Sequence, residues 1–139
     1  MSEIAALIPH GGAMVLLDRV IRWDADSIVC AARSHLDPAN PLREAGRLAG
    51  LCGVEYALQA AALHGALLAS GQAQRAGYAA SLRNIVLHAD RLDDPALGEL
   101  SVQSILASQE AFGMVYDFIV HSAAAAPLIA GRFSIALPR

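Results

Sequence analysis

Residues 128–137 alternate between large apolar side chains and small or polar ones. A period of two is typical of a β-strand with one covered face. Apolar stretches bounded by turn residues predict five further strands, which we place at 14–24, 27–34, 77–88, 99–108 and 114–122. The connections between the later strands are short, which predicts antiparallel pairing of successive strands.

A helical pattern occupies residues 48–69, which are strong helix formers without proline and are followed by Gly71. The predicted helix has about 20 residues and is roughly 30 Å long. Its single charge, Glu55, leaves it no broad solvated face, so a sheet or a partner chain must cover it. Two strands, one long buried helix and four more strands predict an α+β fold, with an antiparallel sheet curled around a central helix.

The length and composition favour one domain that associates with another chain. With 139 residues the chain can bury a real core, and we expect residues 1–139 to form a single domain. Hydrophobic residues make up 55% and charged residues 17%, which leaves little polar material to coat a small monomer. The net charge of −3, with ten scattered arginines and no lysine, argues against nucleic acid as a partner.

Several features predict a cytoplasmic protein. Glu3 stands where a signal peptide would be basic, and Pro9 interrupts the apolar run after it. The helical segment is long enough to cross a bilayer, but its polar residues favour a buried helix in a soluble protein, so we expect no membrane span. Cys30 and Cys52 lack a Cys-x-x-Cys spacing and are expected to be buried thiols in a reducing compartment.

Glu55 needs an explanation, because a carboxylate in an apolar helix is costly unless it is hydrogen-bonded, paired or protonated. Polar groups of this kind cluster at functional sites. The alternative is a wet helix edge or an ion pair with an arginine such as Arg47 or Arg83. Gln59 lies one turn further along on the same side of the helix. Gly50 opens the helix, where backbone N–H groups can receive an oxyanion, although close packing equally explains a glycine there.

Of the five histidines, His10 is the most suggestive, because Pro9 and two glycines fix and expose a turn around it. A turn histidine with a structural hydrogen bond is the alternative. His35, just before the irregular loop at 36–50, is a second candidate. No histidine or cysteine pair has a metal-ligand spacing, and no nucleotide-binding or serine-hydrolase motif occurs, so we expect neither a metal nor another cofactor.

Two stretches carry a family resemblance: IPHGGAMVLLDRV near the N-terminus, and AGLCGVEYALQAA at the head of the helix after a loop rich in Pro and Gly. In this order they resemble the hotdog-fold 3-hydroxyacyl-(acyl carrier protein) dehydratases, and among these the aryl-polyene-cluster type. The likeness runs over nearly the whole chain. It implies a hotdog fold, in which a sheet wraps around the helix and two subunits pair their sheets edge to edge.

The resemblance also implies a reaction at the subunit interface. In such dehydratases the helix acid, matched by Glu55, works with a histidine of the other subunit. The histidine removes the α-proton of a 3-hydroxyacyl thioester, the acid helps water leave C3, and a backbone N–H at the position of Gly50 polarises the thioester carbonyl. Gln59 and Asn40 are expected to contact the substrate. The acyl group would be carried by acyl carrier protein or coenzyme A.

The chain departs from the family pattern in the loop before the helix. The usual His-Phe-Pro motif is replaced there by Ala39-Asn40-Pro41-Leu42. His35 is too far upstream to align without a shift. The identity of the base that faces Glu55 is therefore undecided. His10 either serves as the base or only lines the acyl tunnel, and His35 is the reserve candidate.

Three functions compete on these grounds. The first is dehydration of a 3-hydroxyacyl thioester in biosynthesis of the fatty-acid or aryl-polyene type. The second is an acyl thioesterase, since a helix carboxylate can activate water without a histidine. The third is a non-catalytic subunit that pairs with an active dehydratase. The oligomer is expected to be a homodimer or a heterodimer with another hotdog subunit.

Overall fold

One antiparallel sheet and one α-helix dominate the structure, a computed structural model that describes residue 4 and residues 14–69 and 78–137. The helix, α1, spans Gly53–Leu68. The strands are β1 (Arg19–Trp23), β2 (Ser27–Ala32), β3 (Tyr78–Leu87), β4 (Leu100–Glu110), β5 (Gly113–His121) and β6 (Pro127–Ala136). All six belong to one sheet with the order β1-β2-β4-β5-β6-β3, and every neighbouring pair is antiparallel.

The predicted α+β plan is confirmed, with differences at the ends of elements. The first strand was expected over 14–24 but begins at Arg19, because the Gln59 side chain of the helix binds Leu16 N–H and bonding to β2 starts only with Asp18 N–H, which donates to the Ala31 carbonyl. A 3-10 turn, Ser34–Leu36, follows β2. Another 3-10 turn, Gly50–Cys52, leads directly into α1, so the helical segment starts two residues later than expected.

One side of α1 packs on the sheet through apolar contacts and is held in place by three hydrogen bonds. Ser104 Oγ on β4 donates to the Ala57 carbonyl over 2.8 Å. His64 is fully buried; its Nε2 donates to the Asp24 carbonyl, and the Tyr116 hydroxyl on β5 donates to its Nδ1, both at 2.8 Å. Since a buried polar group without a partner is costly, these bonds make the helix rotation specific.

The start of α1 is tied to the segment that follows β3. Leu92 N–H donates to the Leu48 carbonyl at 2.8 Å, and Leu48 N–H donates to a carboxylate oxygen of Asp93 at 2.9 Å. Arg91 and that N–H together hold the pKa of Asp93 well below its usual range. These bonds fix the N-terminal end of the helix against the end of β3.

The segment Gly50–Leu68 is the one described helical stretch long and apolar enough to cross a membrane, with a mean hydropathy of 1.2. Within this protein 61% of it is buried. Such burial is what the central helix of a folded domain shows, in agreement with the interpretation from the sequence. The cytoplasmic location stays a prediction.

Candidate active site

An uncovered stripe runs along α1 and its first turn on the side away from the sheet. It consists of Leu51, Glu55, Leu58 and Ala62, which are exposed or half-buried, whereas most other residues of α1 are buried. At 100° per residue these four fall within about 60° of one another, roughly opposite the side that packs on the strands. The stripe is apolar apart from one carboxylate.

Glu55 is half-buried at the centre of this stripe. It makes no hydrogen bond or ion pair with any residue in the described part of the chain. The alternative of a structural ion pair with Arg47 or Arg83 is therefore not found there, and Arg47 instead donates to the Asp90 carbonyl at 3.3 Å. Glu55 is thus presented to whatever covers the stripe.

The apolar surface continues on β3 at the edge of the sheet. Leu82 pairs with Phe133 and Leu87 pairs with Ile129, both buried core residues, so the two leucines point to the helix side of the sheet. Nevertheless they are 48% and 47% exposed. We call the set Leu51, Glu55, Leu58, Ala62, Leu82 and Leu87 the open face.

Gly50 connects the two parts of the open face. A Cβ there would come within 2.9 Å of Leu87 Cδ1 and would collide with the Ala89 carbonyl oxygen, so close approach explains the glycine. Its N–H donates to the Asp90 carbonyl at 2.8 Å. Polarisation of a thioester carbonyl by this N–H stays a prediction, and it would require that bond to be exchanged.

Gln59 lies on the flank of α1 and binds the main chain that precedes β1. Its Oε1 accepts from Leu16 N–H at 2.9 Å, and its Nε2 donates to the Met14 carbonyl through a short bond. The side chain is fully buried. Both ends of the amide are therefore used within the chain, which gives Gln59 a positioning role; contact with a substrate stays a prediction.

Asn40 is buried and holds the loop before α1 in place. Its Nδ2 donates to the Ser34 carbonyl at 2.9 Å and to the Tyr56 hydroxyl at 3.2 Å, and its Oδ1 accepts from Leu42 N–H at 2.9 Å. Ser34 Oγ lies 2.8 Å from the same hydroxyl. The loop in which the family usually carries its histidine is thus closed on itself by an amide, and substrate contact by Asn40 stays a prediction.

His35 is fully buried and does not lie on the open face. Its Nε2 donates to the Gly98 carbonyl at 2.7 Å, so Nδ1 is left as the acceptor, and that atom has no hydrogen-bond partner. Burial lowers the pKa of His35, against a smaller opposing effect of the Gly98 bond. This environment favours a neutral, structural imidazole. His10, the favoured base, lies outside the described residues.

The described residues offer no group of three or more His, Cys, Asp or Glu side chains that could hold a metal ion. Cys30 is buried, and burial raises the pKa of its thiol to about 12. Burial also raises the pKa of the Cys52 thiol at the helix start. Neither thiol is activated as a nucleophile.

Sequence reasoning missed the buried hydroxyl of Tyr56, which joins α1 to the Ser34–Asn40 loop. It also missed the pairing of His64 with Tyr116. The available signal was weak: an aromatic residue next to Glu55 in an alanine-rich helix, and a histidine in apolar surroundings. Spacing along the chain does not reveal partners that lie 52 positions apart.

The family model of the ApeP-like proteins, described as ApeP dehydratase, matches residues 2–139. The chain belongs to the ApeP-like dehydratase family. This confirms the resemblance to dehydratases of the aryl-polyene type. No functionally curated protein matches this ApeP-like chain significantly.

Solved structures confirm the hotdog fold of this ApeP-like chain. The dehydratase heterocomplex ApeI:P from Xenorhabdus doucetiae matches with a TM-score of 0.83 and 20% identity, over 98% of this chain and 91% of that chain. A thioesterase mutant from Pseudomonas aeruginosa matches with a TM-score of 0.61 and 17% identity, over 85% and 78%. A hypothetical thioesterase with coenzyme A from Streptococcus pneumoniae matches at 0.60 and 14%, over 86% and 84%.

Replacing Gln59 with leucine tests its positioning role. Gln59→Leu leaves the Met14 carbonyl and the Leu16 N–H without partners, so we expect the free energy of unfolding to fall by about 2 kcal/mol or more. Denaturant unfolding followed by circular dichroism measures this. The control is Gln103→Leu on β4, a half-buried position outside this contact, and a loss of equal size there would contradict the assignment.

The environment of His35 predicts a pH dependence of stability. Because folding lowers its pKa from about 6.5, the unfolded chain binds the proton more tightly, and stability should fall as the pH drops below about 6.5. One such proton contributes a slope of at most about 1.4 kcal/mol per pH unit. When the free energy of unfolding is measured between pH 7.5 and pH 5, its dependence on pH should be weaker in His35→Gln than in the wild type. An unchanged slope in His35→Gln would refute the prediction.

Proposed function

We propose that this ApeP-like chain contributes the acid of a 3-hydroxyacyl thioester dehydratase, and that Glu55 is that acid. One observation carries the proposal: Glu55 is a half-buried carboxylate without a partner in the described residues, at the centre of an apolar open face. An acyl chain can lie along such a surface. The dehydratase family of the chain supports elimination of water as the reaction.

The elimination uses Glu55 as a proton donor. A base removes the proton from C2 of the 3-hydroxyacyl thioester, and the electron pair of that C–H bond forms the C2=C3 double bond. The C3–O bond breaks as Glu55 gives its proton to the departing hydroxyl, so water leaves and the trans-2-enoyl thioester remains. The proton on the base then returns to the carboxylate through solvent.

Neither of the two buried histidines, His35 and His64, is placed to act as the base in this proposal. His35 is buried against the Gly98 carbonyl, and both ring nitrogens of His64 are engaged by Tyr116 and Asp24. We therefore favour His10, as the sequence does, or a histidine of a second subunit. The place where the family usually has its loop histidine holds Asn40, which is tied to Ser34 and Tyr56.

A second hotdog subunit is part of this proposal. The open face leaves apolar side chains of α1 and β3 uncovered, among them Leu51 at 52% exposure, and such a surface favours association. The solved relative from Xenorhabdus doucetiae is a dehydratase heterocomplex, which supports a hotdog partner. In a heterodimer, this chain would supply Glu55 to one site and the partner would supply the histidine. The other site, built on the loop with Asn40, would lack that base.

The substrate is proposed to be an acyl thioester on acyl carrier protein or coenzyme A, in biosynthesis of the fatty-acid or aryl-polyene type. The structural likeness to a thioesterase with bound coenzyme A supports the acyl thioester class. An acyl thioesterase is the alternative function, because an unpaired carboxylate such as Glu55 can activate water for attack on the thioester carbonyl without a histidine. The products distinguish the two reactions: an enoyl thioester or a free acid.

Loss of the Glu55 proton should stop the reaction. We expect Glu55→Gln to lower the dehydration rate by about 100-fold or more, because the amide cannot protonate the leaving hydroxyl. The assay supplies a 3-hydroxyacyl carrier-protein thioester and follows the product by mass spectrometry, with circular dichroism to verify folding. The control is Glu44→Gln, an exposed glutamate in the loop before α1. His10→Ala belongs in the same assay, and full activity of both Glu55→Gln and His10→Ala would refute the assignment.

The composite site predicts that a partner restores activity. With His10 as the base of a homodimer, the purified chain is active alone; with a partner's histidine, it is inactive alone and active after addition of a hotdog dehydratase subunit from the same organism. Removing the loop histidine of that partner should then abolish turnover while the complex persists in gel filtration. Activity that survives Glu55→Gln in the complex would assign this chain a non-catalytic role.

A further inference from the structure

Strand β3 is an edge of the sheet over ten residues. It pairs with β6 on one side, and no other described strand pairs with it. Unpaired strand edges recruit other strands unless charge, bulges or short length prevent it. The opposite edge, β1, has only five residues. The longer edge lies beside the open face, so it is the edge on which a partner strand would bring a second subunit next to Glu55.

A row of charges crosses the outward side of the sheet and ends at this edge. Asp117 on β5 pairs with Arg132 on β6, which pairs with Arg83 on β3. Arg132 binds the Asp117 carboxylate through Nε at 2.8 Å and through a terminal nitrogen at 3.0 Å. The order of charges toward the edge is therefore negative, positive, positive. The one carboxylate of the row, Asp117, is bound by Arg132, so the charge of Arg83 is left without a counter-charge in this row.

The Arg83 side chain is exposed and makes no hydrogen bond or ion pair with the described part of the chain. Its immediate neighbours along β3 are the exposed Asn84 and Leu82, which is 48% exposed and points to the helix side of the sheet. Its guanidinium, on the outward side of the sheet, has no carboxylate partner in the described part of the chain. It is placed to face a group on a strand added to the edge.

A second copy of the chain fits this edge poorly. Residues 81–83 form the regular stretch between the two bulges of β3, with Ser81 and Arg83 pointing outward. If two copies of β3 pair in antiparallel fashion about Arg83, Arg83 of one chain lies opposite Arg83 of the other. If they pair about Leu82, Arg83 of one chain lies opposite Ser81 of the other. The two guanidiniums then lie directly across from each other or on the diagonal, about 7–8 Å apart, and like charges so placed are destabilising.

We propose that Arg83 sets the choice of partner at this edge: β3 accepts a strand that presents a carboxylate opposite Arg83 and discriminates against a second copy of this chain. The inference rests on the proposed pairing with a second hotdog subunit and adds the chemistry that selects it. A carboxylate there would extend the charge row to negative, positive, positive, negative. Discrimination then combines one attractive contact with one repulsive alternative.

The test uses the chain itself and its charge-reversed variant. An equimolar mixture of wild type and Arg83→Glu brings a carboxylate opposite Arg83, whereas wild type alone brings two guanidiniums together. Sedimentation velocity over a concentration series should give a dissociation constant for the mixture about five- to tenfold lower than for wild type alone, with the difference shrinking at high salt. Circular dichroism verifies that both proteins are folded.

The matched control is Arg22→Glu on the other edge strand, β1, also an exposed arginine without a partner among the described residues. Its mixture with wild type should associate no more tightly than wild type alone. Equal affinity of wild type alone and of the Arg83→Glu mixture would overturn the proposal, and so would an equal gain with Arg22→Glu. Because no activity is measured, either result would leave the proposed role of Glu55 untouched.

Discussion

The structure depends on covering a helix that has almost no charge. Because Glu55 is the one carboxylate of α1 and its first turn and most of the other residues are apolar or small, exposing a side of the helix to water is costly. The sheet covers one side, through contacts such as Ser104 with the Ala57 carbonyl. The chain before β1 and the loop before α1 cover another. One stripe remains uncovered, and Glu55 lies on it.

Polar side chains decide where these coverings sit. Gln59 holds the main chain at Met14 and Leu16, and Tyr56 holds Asn40 and Ser34. All are buried or half-buried, so each bond is expensive to break and only one arrangement satisfies all of them. The residues that resemble a substrate-binding set in the sequence are thus largely occupied in holding the site together. Glu55, which has no such task, remains available for chemistry.

Because most polar side chains near α1 are occupied in structural hydrogen bonds, the site within this chain is incomplete. The open face contains an acid and an apolar surface, while the described histidines are buried, engaged or located elsewhere. A surface of this kind favours association with another molecule, and the uncovered edge of β3 lies next to it. Association and catalysis are therefore linked in the proposed function: the partner that covers the apolar surface is also the source of a base facing Glu55.

Periodicity along the chain was sufficient to predict the α+β plan, the central helix and Glu55 as its one anomalous residue, because alternation and helical spacing record which faces are buried. The motifs were sufficient for the dehydratase family. Sequence could not tell that the amides of Gln59 and Asn40 bind main chain, that His35 is enclosed, or that Gly50 makes room for Ala89. Those facts depend on contacts between segments far apart in the chain, and only tertiary packing decides which distant donors, acceptors and side chains meet.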